Sequence, residues 1–200
     1  MGKPENLHSA TATDRQARAT SPTTRADAQV RDAVPGDLPA IQAIYAHHVL
    51  RGFASFEEVP ADLEEMRRRH ADVTGRGLPY LVAARQGEVL GFGYCAPYRA
   101  RSAYRYALED SVYIKDGSAG QGLGSRILAE LLARCERLGY RQVIAVIGDS
   151  ANAASIALHA RFGFLRVGTL RSTGYKFGRW VDSVLMQRPL GSGDGTPPAT

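Results

Sequence analysis

A glycine-rich segment between an apolar run and a helical pattern is the part of the sequence best suited to chemistry. It reads Gly-Gln-Gly-Leu-Gly-Ser at positions 120–125. Glycine lets a backbone turn tightly and come close to a ligand, and the first turn of a helix directs free N–H groups outward. Such an arrangement favours phosphate oxygens. The sequence therefore predicts a phosphate-binding loop made of Gly120, Gln121, Gly122, Leu123, Gly124 and Ser125.

Three phosphate-binding interpretations compete for this loop, beside a plain flexible connection to a glycine-capped helix. A P-loop requires GxxxxGK followed by Ser or Thr, and no lysine follows here. A dinucleotide-binding fingerprint requires a third glycine where this chain has Ser125. It also requires an acidic end to the next strand, which instead ends Val146-Ile147-Gly148. The third interpretation is the diphosphate of coenzyme A, which the residues alone leave open together with the flexible connection.

The elements around this loop follow from hydrophobic periodicity. Together they predict an α+β domain around one central, partly antiparallel sheet. The unbroken run Val143–Ile147 predicts a strand buried on both faces, and Gly139 predicts the end of the preceding helix. The other predicted strands are Gln29–Val34, Tyr80–Ala84, Val89–Tyr94, Leu108–Ile114, Leu165–Leu170 and Val181–Met186. The predicted helices follow Gly36-Asp37, span Ala61–Asp72, follow the glycine loop and span Asn152–Arg161.

Length and composition predict a single domain with a polar tail at each end. The 200 residues fit one core of ordinary size. Residues 1–26 carry too few apolar side chains to fold, whereas residues 27–190 carry periodic hydrophobicity throughout. Residues 191–200 are rich in glycine and proline. We expect residues 27–190 to fold and both tails to be disordered.

Charge and cysteine usage narrow the function classes. The net charge is +5, but the positive residues are scattered, and the run Arg67–His70 is typical of the solvated face of a helix. A nucleic-acid partner is therefore not expected. Cys95 and Cys135 are the two cysteines of the chain, and they lie far apart in the sequence with no CxxC spacing. This argues against a zinc site or a disulfide framework and favours a reducing cytoplasm. No apolar run is long enough to span a membrane, and we expect neither a membrane partner nor a metal.

Longer stretches carry a family resemblance. LEDSVYI, the glycine loop, VIAVIG and NAASIALHARFGF resemble the GCN5-related N-acetyltransferase superfamily across nearly all of residues 27–190. The superfamily loop pattern is Q/R-x-x-G-x-G/A, which positions 119–124 match except at Ala119. The blocks RARSAYRYALEDSVYI and GTLRSTGYKFGRWVD look like the phosphinothricin and methionine sulfone/sulfoximine acetyltransferases. This resemblance implies a three-layer α/β/α domain with a mixed, mostly antiparallel sheet of the acyl-CoA N-acyltransferase type. It also implies acetyl-CoA as cosubstrate and a homodimer.

The resemblance also implies roles for individual residues. Acetyl transfer needs a base, because an α-amine is largely protonated at pH 7. Glu109 would be that base, acting directly or through water, whereas Asp110 should point to the opposite side of the strand. His159 takes the place of the acid for the departing thiolate. Asn152 takes that of a pantetheine ligand, unless it is only a helix N-cap. The backbone groups expected on the pantetheine arm belong to Val112, Tyr113 and Ile114.

The acceptor side is predicted from charge and from the same resemblance. A zwitterionic amino acid needs a cation for its carboxylate, and arginine suits bidentate capture. The predicted substrate residues are Phe56, Arg99, Arg101, Tyr104 and Arg105, and Lys176 and Trp180 are expected to shape the site or a dimer interface. The expected function is acetyl transfer from acetyl-CoA to the amine of a small amino-acid-like acceptor, such as phosphinothricin, methionine sulfoximine or methionine sulfone. The alternatives are a protein or peptide N-acetyltransferase and a non-catalytic acyl-CoA-binding module.

Overall fold

A computed structural model describes residues 1–2 and 27–198. The described residues form seven strands, four α-helices and two short 3-10 turns, Pro35–Asp37 and Ser102–Tyr104. The strands are β1 Gln29–Asp32, β2 Tyr80–Arg85, β3 Glu88–Pro97, β4 Ala107–Ile114, β5 Gln142–Gly148, β6 Leu165–Lys176 and β7 Arg179–Pro189. The helices are α1 Leu38–Arg51, α2 Leu63–Gly75, α3 Leu123–Arg137 and α4 Ala153–Arg161.

Capping residues and apolar stripes set the helices. Helix α2 begins later than predicted because the Asp62 carboxylate accepts a hydrogen bond from the Glu65 N–H at 2.8 Å and caps the helix. Helix α3 ends where Gly139, with a φ of 84°, follows the capping residue Leu138. The buried stripe of α3 consists of Leu123, Ile127, Leu128, Leu131, Leu132 and Cys135.

The strands form one sheet in the order β1-β2-β3-β4-β5-β7-β6. The β4–β5 pair is parallel, and the other neighbouring pairs among the described strands are antiparallel. Helix α1 covers one face, where the Tyr45 ring meets the Tyr113 ring edge-on at 5.3 Å. Helix α3 covers the other face, where Gly93 leaves no room for a Cβ, which would lie 2.7 Å from Ile127. The predicted α+β class, with a mixed and mostly antiparallel sheet, is confirmed.

The prediction that β5 is buried on both faces is wrong at Val146, which is 38% exposed. Pairing between β4 and β5 ends where Asp110 lies opposite Ala145. Val146 follows the last paired position and therefore borders an opening in the sheet. An apolar run has the same sequence pattern whether its side chains are buried or line the wall of a cleft.

The last two strands are longer than predicted. The prediction ended the first strand too early, at Leu170, where the register with β7 shifts and Ser172 adopts a φ of 54°. This bulge breaks the alternation of apolar and polar residues on which the prediction relied. Phe177 and Gly178, both with positive φ, form the tight turn between the strands. The pair is therefore one long hairpin at the edge of the sheet.

The predicted tails lie partly outside the described residues. Residues 3–26 and 199–200 fall there. Residues 191–196 form turns and bends, and the Arg141 guanidinium donates to the Gly193 carbonyl at 3.3 Å and the Thr196 hydroxyl at 3.2 Å. The domain boundaries at 26/27 and 190/191 stay predictions. Within the described part of the chain, every helix is too short or too polar to cross a membrane.

Candidate active site

A cleft opens where β4 and β5 separate. The two parallel strands pair as far as Asp110 and Ala145, yet β4 continues to Ile114 and β5 to Gly148. A cavity of about 600 Å³ occupies the gap and is bounded by the loop before α3 and by α4. Beyond the last pair, β4 and β5 no longer bond to each other, so the backbone of β4 faces the gap there. The predicted site residues that line this cleft are Val112, Tyr113, Ile114, Gly120, Gly122, Leu123, Gly124, Ser125, Asn152 and His159.

The alternation of hydrogen bonds along β4 decides which of its backbone groups face the cleft. The Lys115 N–H donates to the Leu90 carbonyl of β3 at 2.9 Å. The odd-numbered positions of β4 therefore bond to β3, since hydrogen-bonded pairs recur at every second residue of an antiparallel pair. The backbone groups of Tyr113 are therefore used inside the sheet, whereas those of Val112 and Ile114 point toward the β5 side. The Ile114 carbonyl accepts a hydrogen bond from His48 Nε2 at 2.8 Å. Val112 is thus the position at which both backbone groups remain for a ligand.

The glycine loop is shaped to hold an anion. Gly120 and Gly122 have φ values of 76° and 75°, which glycine adopts without strain. Gly122 caps α3, and its carbonyl accepts the first helical hydrogen bond from the Arg126 N–H at 3.1 Å. The N–H groups of residues 123–125 therefore have no partner inside the helix. Together with the helix dipole, these donors favour a diphosphate.

Two polar side chains beside the loop differ from the sequence prediction. Gln121 was predicted to bind the ligand, but its amide oxygen accepts a hydrogen bond from Arg85 at 3.1 Å and the residue does not line the cleft. Arg161, which the sequence does not predict as a site residue, lines the cleft and donates to the Ser125 hydroxyl at 3.3 Å. A guanidinium here adds positive charge to the anion site. No local motif marks Arg161, because only the fold brings α4 to the loop.

Glu109 lies on the face of β4 that points away from α4 and does not line the cleft. The carboxyl is half-buried. Burial raises the pKa of Glu109, the negative charge of Asp110 raises it further, and the positive charge of Arg99 offsets part of the rise. A carboxylate with a raised pKa accepts a proton more readily than an exposed one, which suits a general base.

Asp110 and His159 form a buried pair where the two strands begin to separate. His159 Nε2 lies 3.0 Å from Asp110 Oδ2, and the two side chains are 5% and 0% exposed respectively. Burial lowers the pKa of His159, but the hydrogen bond and charge of Asp110 outweigh burial and the pKa is raised overall. From the sequence, Asp110 is predicted only to point to the side of the strand opposite Glu109. Its contact with His159 spans 49 positions and has no local signal.

Asn152 caps helix α4. Its side-chain oxygen accepts a hydrogen bond from the Ser155 N–H at 3.2 Å, as the N-cap alternative predicted. The same residue lines the cleft. The capping bond uses only the oxygen, so the amide N–H₂ group can still donate to a ligand.

The predicted acceptor-side residues lie outside the cleft. Arg99, Arg101, Tyr104 and Arg105 are exposed in the segment between β3 and β4. The guanidinium groups of Arg99 and Arg105 each stack on a neighbouring tyrosine ring, at 4.9 and 4.8 Å from the ring centre. Because the charge of Arg99 opposes the rise in the pKa of Glu109, this arginine lies within electrostatic reach of the base.

Phe56 belongs to the loop that follows α1, which packs directly on Gly148 of β5 and Gly174 of β6. Its ring covers Gly174, where a Cβ would lie 2.6 Å from the ring. Lys176 is buried beneath the loop, and its ammonium group donates to two loop carbonyls. These acceptors are Gly52 O at 2.9 Å and Ser55 O at 2.7 Å. Ala54 of the same loop lines the cleft, so the loop forms a wall of it.

Comparison with known proteins defines the class of this enzyme. Residues 41–164 match the acetyltransferase (GNAT) family. A phosphinothricin N-acetyltransferase from Alcaligenes faecalis is 60% identical over 169 residues, which cover 84% of this chain and 86% of that protein. An L-methionine sulfoximine/L-methionine sulfone acetyltransferase from Pseudomonas aeruginosa is 40% identical over 164 residues, covering 82% of this chain and 95% of that protein. The chain belongs to the GNAT family of acetyltransferases.

A solved structure supports the same assignment. The GNAT-superfamily phosphinothricin acetyltransferase of Sinorhizobium meliloti, in complex with acetyl-CoA, matches with a TM-score of 0.84 and 46% identity, covering 87% of this chain and 94% of that one. The predicted superfamily and fold are confirmed. The protein is an acetyl-CoA-dependent N-acetyltransferase. Within the family it is similar to the phosphinothricin and methionine sulfoximine/sulfone acetyltransferases.

Proposed function

We propose that this protein transfers the acetyl group of acetyl-CoA to the amine of a small amino-acid-like acceptor of the phosphinothricin, methionine sulfoximine or methionine sulfone type. The relatives described above bear those substrates in their names. The observation that carries the proposal is the position of Glu109. It is a half-buried carboxyl with a raised pKa, next to the residue at which β4 leaves β5. A base at this point lies next to the inner end of the cleft, on the opposite face of β4.

The polar groups of the cleft favour one orientation of acetyl-CoA. The diphosphate of the cofactor would lie on the free N–H groups of residues 123–125, with the Arg161 guanidinium beside them. The pantetheine arm would run along the unpaired backbone of Val112, and the Asn152 amide would donate to it. The thioester then lies toward the point where the strands separate. Of the predicted loop residues, Gln121 has no part in this arrangement, because its side chain is bonded to Arg85 and the residue does not line the cleft.

Glu109 and His159 can account for the two protons that the acceptor amine loses in the reaction. Glu109 takes one proton from the acceptor ammonium, directly or through water, and frees the nitrogen lone pair. The new C–N bond forms as the thioester carbon becomes tetrahedral, and the C–S bond then breaks. The Val112 N–H is the donor proposed for the oxyanion, and His159 is the residue proposed to assist the departing sulfur. One amine proton leaves to solvent through Glu109, and a second ends on the sulfur of free coenzyme A.

We place the acceptor on the face of β4 that carries Glu109. Arg99 is within electrostatic reach of that base, so one substrate can offer its carboxylate to the arginine and its amine to Glu109. The Phe56 loop would form the side wall of this pocket. Arg101, Tyr104 and Arg105 stay predicted substrate residues in the same exposed segment.

We further propose a homodimer that works in the cytoplasm. Strand β6 is at the edge of the sheet, and exposed apolar edges are usually covered in stable proteins. Two buried free thiols, Cys95 and Cys135, fit a reducing compartment. Sedimentation at micromolar concentration tests the dimer, and a monomer would contradict it. The exposed apolar residues of the β6–β7 hairpin are Leu165, Val167, Leu170, Tyr175, Phe177 and Trp180.

A thiol-release assay tests the proposed function. Acetyl-CoA is supplied with a panel of compact amino-acid analogues and, separately, with a peptide that has a free N-terminus. Turnover on a compact analogue supports the proposal. Turnover on the peptide alone would replace it with the peptide N-acetyltransferase alternative. Binding of acetyl-CoA in calorimetry, with no turnover on any amine, would identify a non-catalytic acyl-CoA-binding module.

A further inference from the structure

Both ring nitrogens of His159 are already engaged. Nδ1 lies 2.8 Å from the Ser155 carbonyl oxygen, which can only accept, so Nδ1 carries a hydrogen. Nε2 lies 3.0 Å from Asp110 Oδ2. Two bare lone pairs at that distance would repel each other, so one proton lies between these atoms. The pair is either an imidazolium facing a carboxylate or a neutral imidazole facing a carboxylic acid.

The intrinsic acidities and the surroundings favour the ion pair. An isolated aspartic acid has a pKa of about 3.9 and an isolated histidine about 6.5, so the shared proton belongs on the ring. Among the described residues Asp110 is the charged group that raises the pKa of His159. The Phe164 ring packs perpendicular to the imidazole, with the two ring centres 5.0 Å apart. The Cys95 thiol, opposite Asp110 in β3, stays neutral because contact with Cys135 and burial raise its pKa.

Asp110 has no other hydrogen-bond partner near His159 among the described residues. The other oxygen of Asp110, Oδ1, is buried and has no hydrogen-bond partner among the described residues. Among the residues that the structure describes, the imidazolium is the group that faces and offsets this buried negative charge. A buried ion pair that loses one partner leaves the other charge unpaired at high cost.

We propose that Asp110 is a positioning residue that holds His159 as an imidazolium with its ring fixed against the wall of the cleft. His159 then acts as a fixed positive charge beside the reacting sulfur and does not give up its Nε2 proton. This inference rests on the proposed function, because a thioester must occupy the cleft for the charge to matter.

If His159 keeps its proton, the departing sulfur must be protonated by another group. When the C–S bond breaks, its electron pair stays on sulfur, and the imidazolium stabilises the resulting thiolate. The sulfur takes its proton from the acceptor nitrogen, which became acidic when it attacked the carbonyl. The products are the amide and the free thiol, so atoms and charge balance. His159 ends the cycle protonated, as it began, and the buried ring needs no reprotonation.

NMR titration of the imidazole nuclei in the full-length chain is the first test. The His159 signals are assigned by their loss in His159→Gln. In the wild type we expect His159 to titrate above about 6.5, the value of an isolated histidine, and in Asp110→Asn below it. His48, whose Nε2 donates to the Ile114 carbonyl, should not move. A His159 that titrates below that value in the wild type, or equally in both proteins, would overturn the proposal. If Asp110→Asn fails to fold, the wild-type titration alone decides.

Kinetics provide the second test. We expect kcat of Asp110→Asn to fall by about 10²-fold and the alkaline limb of its pH profile to move to lower pH, because the ring loses its proton earlier. A merely structural role would leave that limb in place. Asp116→Asn removes an exposed carboxylate just beyond β4 and should change neither the limb nor the His159 titration. Calorimetry separates the two proposals. No binding of acetyl-CoA overturns the proposed function, whereas binding with an unshifted histidine overturns the role of Asp110.

Discussion

Glu109 and Asp110 are adjacent in β4, and their carboxyl groups lie on opposite faces of the strand. Asp110 meets His159 on the α4 side, whereas Glu109 lies on the side reached by the charge of Arg99. The alternation of side chains along a strand produces this separation. The two acids also interact, because the charge of Asp110 raises the pKa of Glu109. One dipeptide thus supplies a base to the acceptor side and a counter-ion to the cofactor side.

Replacing the base should abolish most of the activity. We expect Glu109→Gln to lower kcat by about 10²–10⁴, because glutamine keeps the shape of the side chain but cannot accept the proton. The KM for acetyl-CoA should change little, since Glu109 does not line the cleft. Steady-state thiol release at saturating acceptor measures both constants. Turnover equal to that of the wild type would rule out Glu109 as the base.

The acid limb of the pH profile should respond to Arg99. The pKa of Glu109 is raised, so the base form is lost as pH falls through a value above that of an ordinary glutamate. The charge of Arg99 opposes this rise. Arg99→Gln should therefore move the acid limb of kcat/KM to higher pH. Arg101→Gln is the matched control, because it removes an exposed positive charge from the same segment, and Arg99 is the cation that lowers the pKa of Glu109. Identical acid limbs in the two variants would contradict this placement of Arg99.

Stability should depend on pH through His159. The pKa of His159 is raised in the folded protein, so the ring stabilises the fold fully below the pKa of the unfolded chain, about 6.5. That contribution is lost as pH rises through the folded value. Urea unfolding of the wild type should therefore show a fall in stability across this window. In Asp110→Asn the fall should be smaller or reversed, because burial then lowers the pKa of the ring. Parallel curves for the two proteins would contradict the ion pair.

Arg161 should strengthen the binding of acetyl-CoA. Its guanidinium lines the cleft beside Ser125, and a charged hydrogen bond to a phosphate contributes about 1.5–3 kcal/mol, less where water screens it. We expect Arg161→Gln to raise Kd for acetyl-CoA by about tenfold at low salt, with a smaller effect as salt increases. Calorimetry at two salt concentrations measures this.

Arg126→Gln is the control for Arg161. Arg126 is exposed on α3 and lines a separate groove against β1, outside the cleft. Both substitutions remove one positive charge from the same end of the protein. Equal losses of affinity in the two variants would assign the effect to net charge and would remove Arg161 from the cofactor site.

The sequence predicted the frame of the site more successfully than the contacts inside it. The glycine loop and the start of α3 depend on neighbouring residues, whose turn and cap preferences are local. The contacts of Asp110 with His159 and of Arg161 with Ser125 join distant positions, and no spacing rule connects them. Gln121 illustrates the reverse case. Its place in the motif predicted a ligand contact, but its side-chain amide oxygen accepts a hydrogen bond from Arg85 of β2 instead.

The loop that carries Phe56 should affect the acceptor more than the cofactor, because Ala54 is the loop residue that lines the cleft and the Phe56 ring lies outside it. At Gly174 a Cβ would lie 2.6 Å from the Phe56 ring, so Gly174→Ala must displace the ring or strain the strand. We expect a cost in stability of about 1–3 kcal/mol and a rise of about tenfold in the KM for the acceptor. The KM for acetyl-CoA should stay within about twofold, because the phosphate loop lies on other elements.

Gly168→Ala is the matched control for this loop. Gly168 is in the same strand as Gly174, but a Cβ there would meet no atom within 4 Å. The substitution should therefore leave both KM values unchanged, and comparison with Gly174→Ala isolates the position of Phe56 from the general effect of an added methyl group. If Gly174→Ala raises the KM for acetyl-CoA as much as that for the acceptor, the loop shapes the whole cleft. The proposed acceptor wall at Phe56 would then be wrong.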